Sequence, residues 1–169
     1  MFWRRHATSD AAEPIDVERL LPMRIYRAGD ILDVFITVGP DRLSDRLNRD
    51  GSIRIARTPD PDDLDWTEID PRGALLIVPP FHEPDRRRYQ HRVRRPLVAH
   101  VGPYQVQAMA HLISGIRLDP YIVRTGRTFL AVTQALVTSE LVPALEDRHP
   151  VLLLNVGTTD HPLSLAVTE

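Results

Sequence analysis

The chain has 169 residues, no cysteine and a formal net charge of −2, which excludes disulfides, thiolate metal sites and a cysteine nucleophile and argues against wholesale binding of nucleic acid. All 21 basic residues are arginine. Base composition in a GC-rich genome accounts for that, but it also removes any P-loop lysine, Schiff-base lysine or lysine general base.

Residues 1 to 22 read as a loose tail ending in a short helix. The start, Met1-Phe2-Trp3-Arg4-Arg5-His6, runs into polar residues rather than an apolar segment, so it is not a signal peptide. Ile15 to Leu21 could make two helical turns before Pro22 stops them. No window approaches the ~18 apolar residues that span a bilayer, so a soluble, cytoplasmic protein is expected.

Period two takes over from Met23. Leu32, Val34, Ile36 and Val38 point one way, with Asp33, Phe35 and Thr37 opposite. Asn48-Arg49-Asp50-Gly51 reads as a hairpin turn, since Asn, Asp and Gly tolerate positive φ. A short strand follows from Ser52 to Thr58. Pro59 to Asp65, with two prolines and four carboxylates, is a solvated loop. Ala74-Leu75-Leu76-Ile77-Val78 is continuously apolar and predicts a strand buried on both faces. After the arginine-rich stretch, Tyr104, Val106, Ala108, Ala110 and Leu112 alternate with Gln105, Gln107, Met109 and His111. Phe129 to Val137 and Val151 to Val156 complete the strands.

These elements suggest one unit written twice, about 75 residues apart. Arg42-Leu43-Ser44-Asp45-Arg46-Leu47-Asn48-Arg49-Asp50-Gly51 aligns with Arg117-Leu118-Asp119-Pro120-Tyr121-Ile122-Val123-Arg124-Thr125-Gly126. Met23 to Tyr26 aligns with Leu97 to His100, each after a proline. Val151 to Val156 aligns with residues 74 to 78. The expected division is a first β repeat over 23–80, an arginine-rich linker or edge strand over 81–95, and a second β repeat over 96–169. Two separate cores of ~70 residues are marginal, so the expected fold is mostly β, two tandem small barrels packed as one body.

The segment from Arg117 through Phe129-Leu130-Ala131-Val132-Thr133-Gln134-Ala135-Leu136-Val137 resembles a bacterial family of short Sm-like β domains. That family's pattern is Arg-Leu-Ser-Asp-x-Leu-Asn, a Phe-Leu strand and a final aliphatic strand, and Arg42 to Asn48 fits the opening. The resemblance implies a small Sm-like or related barrel. It brings no activity and no functional residues with it.

The densest charge is Asp85 to Arg95, with six arginines in the ten positions that follow Asp85. Guanidinium forks match phosphate, and Tyr89 or His91 could stack on a base, so Arg88, Arg92, Arg94 and Arg95 are the candidate anion ligands. The plainer alternative is an edge strand whose charges prevent sheet-to-sheet pairing. Arg88-Tyr89-Gln90-His91-Arg92 also resembles the Arg-x-x-x-Arg segment of PilZ domains, which implies binding of a cyclic dinucleotide. The partner motif of that family, Asp-or-Asn-x-Ser-x-x-Gly, is met only in part. Leu112-Ile113-Ser114-Gly115 supplies the serine and a glycine without the acidic or amide residue, and is one position short.

No metal or catalytic residue is indicated. The seven histidines form no His-x-His or His-Glu-x-x-His pair, and Asp60, Asp62, Asp63 and Asp65 lack the glycine and glutamate of a calcium loop. Neither Ser44 nor Ser114 lies in Gly-x-Ser-x-Gly. The expectation is therefore a non-enzymatic binding or assembly module without a cofactor, acting on a protein partner or on itself. A phosphorylated small molecule is the alternative ligand.

Overall fold

The computed structural model describes residues 20–37, 41–49, 51–60, 65–80, 92–115, 118, 126–139, 141, 145–159 and 164–165. The fold is mostly β. Strands β1 (Leu20–Tyr26), β2 (Ile31–Thr37), β3 (Ile53–Ala56), β4 (Trp66–Ile69) and β5 (Leu76–Val78) form a first half, which includes the helix α1 (Leu43–Arg49). Strands β6 (Val93–Val101), β7 (Tyr104–Leu112), β8 (Phe129–Ser139), β9 (Glu146–Asn155) and β10 (Ser164–Leu165) form a second. All ten join in one antiparallel sheet, in the order β10-β6-β7-β8-β9-β5-β1-β2-β3-β4. Among the described residues the sheet does not close on itself, and β10 and β4 are its edges.

Each half runs in the order fifth, first, second, third, fourth strand. A 3-10 turn precedes the fifth strand in each: Pro71–Gly73 capped by Asp70, and Val156–Thr158 capped by Asn155. In both, the capping side chain accepts a hydrogen bond from the amide two residues on, satisfying a donor that the turn leaves without a partner.

The halves meet where β5 pairs with β9, Leu76 opposite Leu154 and Ile77 opposite Leu153. On its other side β5 pairs with β1, Leu76 opposite Tyr26 and Ile77 opposite Ile25. Successive strand residues face opposite sides, and here both sides are buried. Ile25, Ile77 and Leu153 enter a core with Met23, Val34, Ile36, Leu47, Ile53, Ile55 and Phe129. Tyr26, Leu76 and Leu154 enter a second core with Leu97, Val106, Val132, Val137 and Leu152. The two cores therefore lie on opposite faces of a single sheet, and the seam strands serve both. The expectation that residues 74 to 78 are buried on both faces is met: Leu76 and Ile77 are both 0% exposed.

Strand β8 changes face midway. Leu130 and Val132 are buried before the change, and Ala135 and Val137 after it. Gln134, with φ of 53°, is the extra residue, and the β7 register shifts at the same level. Pairing with β9 stays in register because that strand changes face too, at Pro150, which the register places opposite Gln134. Pro150 has no N–H to lose from the ladder, so the irregularity falls where it costs least.

Three expectations are corrected. Asn48 and Arg49 do not make a hairpin turn. They end α1, in which Leu43 and Leu47 are one turn apart and reach the first core, with Asp45 in the first turn and Arg46 and Arg49 in the last, as the helix dipole favours. Leu20 and Leu21 are strand rather than helix, and Pro22 is an exposed β1 residue opposite Phe35; residues 15–19 lie outside the described residues. Lastly, the two apolar segments aligned as copies, 74 to 78 and 151 to 156, are hydrogen-bonded neighbours. By strand order β9 occupies the place of β4, and β5 that of β10. Their similar composition reflects their shared burial at the seam.

The Asn48 side chain ties the halves together. It accepts from the amides of Thr128 (2.7 Å) and Phe129 (2.9 Å) and donates to the Phe129 carbonyl (3.1 Å). Asn155 does the same in the other direction, donating to the carbonyls of Arg72 (3.0 Å) and Ala74 (2.8 Å). Between β6 and β7 the chain turns at Gly102, with φ of 56°, where an added Cβ would come within 2.6 Å of Leu75.

The double burial sets an expectation for Ile77→Ala. Urea unfolding should show a loss of about 2–5 kcal/mol, the range for a large-to-small change in a full core. A loss under about 1 kcal/mol would mean that β5 is not held between two packed faces.

Candidate functional site

The predicted anion ligands are only partly brought together. Arg88 lies outside the described residues. Arg94 and Arg95 are consecutive exposed residues of β6, so they project to opposite faces and do not converge on one ligand. Arg92, immediately before β6, shares the face of Arg94. His111 of β7 stands directly across from Arg94. Its Nε2 is 2.7 Å from Thr133 Oγ1 on β8. Burial pushes His111 below the usual histidine range, and the charges of Arg94 and then Arg92 push the same way. Among the described residues no carboxylate meets Arg94 or Arg95. Ser114 and Gly115 form the turn just beyond β7, Gly115 with φ of 80°, at the same end of the hairpin as Arg92. Pro96 occupies the middle of β6, which suits a strand near a sheet margin.

His111 escapes sequence reasoning because only the pairing of β6 with β7 sets it against Arg94. The strongest polar constellation was missed altogether, and it lies at the seam. Tyr26 ends β1, and its ring is packed in the second core, edge-on to Tyr104 at 5.3 Å and to His149 at 5.9 Å. Its hydroxyl donates to Asp147 Oδ2 at 2.6 Å and lies 2.8 Å from His149 Nε2. Arg24 forms a two-pronged pair with Asp33, at 2.6 and 3.0 Å, and reaches Asp147 Oδ2 at 3.4 Å. Asp33, Arg24, Asp147, Tyr26 and His149 thus form one chain across β2, β1 and β9. The only signal in the sequence was parity, since Arg24 and Tyr26 alternate with core residues Met23 and Ile25.

The electrostatics follow from this packing. Burial raises the Tyr26 phenol, and its hydrogen bond to the Asp147 carboxylate raises it further. The hydrogen bond from Arg24 holds Asp33 below the usual carboxylate range, and Asp33 in turn raises Arg24. Burial lowers the His149 imidazole, with Asp147 opposing and Arg24 adding to the effect. A buried phenol held protonated is a poor base, and its contacts with Asp147 and His149 join β1 to β9.

Comparison with protein-family models, with curated proteins and with solved structures finds no match. Among the described residues no group of three histidine or acidic side chains could hold a metal ion, and no helix is long and apolar enough to cross a membrane.

Removing the Tyr26 hydroxyl leaves Asp147 and His149 without their shared partner. Tyr26→Phe should cost about 1–3 kcal/mol in chemical unfolding at neutral pH. A neutral effect would show that the hydroxyl does not hold β1 to β9.

Proposed function

We propose that this protein is a non-enzymatic binding or assembly module, built from two related small barrel-like halves, whose partner adds a strand to the free edge of the sheet at β4. The observation that carries the reading is the edge itself. Among the described residues β4 pairs with β3 on one side only. The β3–β4 hairpin is joined to β2 through a single registered pair, Phe35 with Ala56. Main-chain donors and acceptors on an unpaired edge offer a template for another strand. Trp66, Thr67 and Ile69 are only half-buried there, and Arg54 stacks on the Trp66 ring at 5.2 Å. The natural first partner is a second copy of this chain. The shared strand order and the matching 3-10 turns support the reading of two related halves, as the resemblance to short Sm-like domains implies.

Light scattering across the micromolar range tests this. The expected mass exceeds the 19.2 kDa of one chain, and Thr67→Lys, which sets a charge on the edge, should return the protein to that value. A wild-type protein that stays at one chain throughout would contradict self-assembly.

A second reading rests on Arg92, Arg94 and His111 sharing one face of the β6–β7 hairpin. In this reading the module binds a phosphorylated small molecule, such as a cyclic dinucleotide, as the PilZ resemblance implies. Calorimetric titration with a cyclic dinucleotide should give heat in the micromolar range that Arg94→Ala abolishes. No heat leaves the assembly reading alone.

A further inference from the structure

Tyr26 belongs by sequence to the first half and by packing to the second core, so whatever holds its hydroxyl holds the halves together. The hydroxyl proton is committed to Asp147 at 2.6 Å. The contact with His149 Nε2 at 2.8 Å must then run the other way, with Nε2–H donating to the phenol oxygen. Neutral His149 is therefore the Nε2–H tautomer. The Tyr26 carbonyl accepts from the amide of Leu75 (2.8 Å), and the Leu75 carbonyl accepts from the amide of Asn155 (3.0 Å). These bonds link Tyr26 to the start of β5 and the end of β9, beside a β5 of only three residues.

We propose that Tyr26, Asp147 and His149 form a proton-sensitive latch, in which protonation of His149 loosens the β1–β5–β9 seam while the rest of the second-half sheet stays paired. Adding a proton places a positive charge on a half-buried ring near the guanidinium of Arg24. Asp147 offsets part of this charge, but it already serves Arg24 and the Tyr26 hydroxyl. The groups that face the site can be named element by element. Strand β1 presents Arg24 and Tyr26, β2 presents Asp33 through Arg24, β7 presents Tyr104, and β9 presents Asp147. Neither β5 nor β8 contains a titratable residue.

The direction follows from linkage. A histidine held below its ordinary value of 6.5 contributes stability that is present above that value and is lost as pH falls through the folded one. His111 is lowered too, so global stability alone does not separate the two sites.

The test is made on the full chain by NMR between pH 8 and 5, following the His149 ring and amide exchange corrected for its intrinsic pH dependence. His149 should titrate below 6.5, and protection at Leu75 and Asn155 should fall about tenfold more than at the β6–β7 amides. His149→Gln, whose amide can still donate to Tyr26, should remove that selective loss. His111→Gln should leave it in place. The latch is overturned if His149 titrates at or above the ordinary value, if protection falls equally across β6–β7, or if His149→Gln retains the selective loss. Should His149→Gln fail to fold, the wild-type ring titration and exchange pattern decide the matter alone.

Discussion

The structure depends on the burial of three adjacent strands on both faces. Most antiparallel strands bury one side and wet the other, yet Ile25 and Tyr26, Ile77 and Leu76, and Leu153 and Leu154 each send neighbouring residues into different cores. The first core borrows Phe129 and Leu153 from the second half, and the second borrows Tyr26, Leu75 and Leu76 from the first. Two cores of this size are marginal apart, and sharing strands lets each count residues that the other half supplies.

Polar groups at the seam follow from the same arrangement. Where strands from different halves pair side by side and are covered on both faces, backbone and side-chain groups at their ends lose water and need partners. Asn48 meets the start of β8, Asn155 meets the turn before β5, and the Tyr26 hydroxyl meets Asp147 and His149. No buried side-chain nitrogen or oxygen among the described residues is left without a partner. The polar network and the apolar seam thus act on the same junction. Function, in the reading proposed, is left to the margins of the sheet, where among the described residues β4 has no partner on its outer side and Arg94 and Arg95 of β6 are exposed.

Much of the fold was legible from period-two alternation. The pattern from Tyr104 to Leu112 and the continuous apolar run from Ala74 to Val78 both correspond to burial. Where the reading failed, a tertiary contact decided the outcome. Asn48 is a turn former in isolation, but its partners at Thr128 and Phe129 are eighty residues away in the chain and favour a helix that presents it to them. The likeness of residues 74 to 78 and 151 to 156 was real in composition, yet it arose from two strands sharing one environment. Of the candidate ligands, the clustering of arginines in sequence did not survive strand alternation, which sends Arg94 and Arg95 to opposite faces. His111, Asp147 and His149 were invisible because cross-strand register, rather than local spacing, brings each to its partners.

The central claim is that neither half has a complete core without the other. Expressing residues 1–80 alone and recording the dispersion of the amide NMR spectrum together with the urea transition tests it most directly. Collapsed amide shifts and no cooperative transition are expected, with folding restored when residues 81–169 are added in trans. A dispersed spectrum and a sharp transition for residues 1–80 alone would contradict the shared seam.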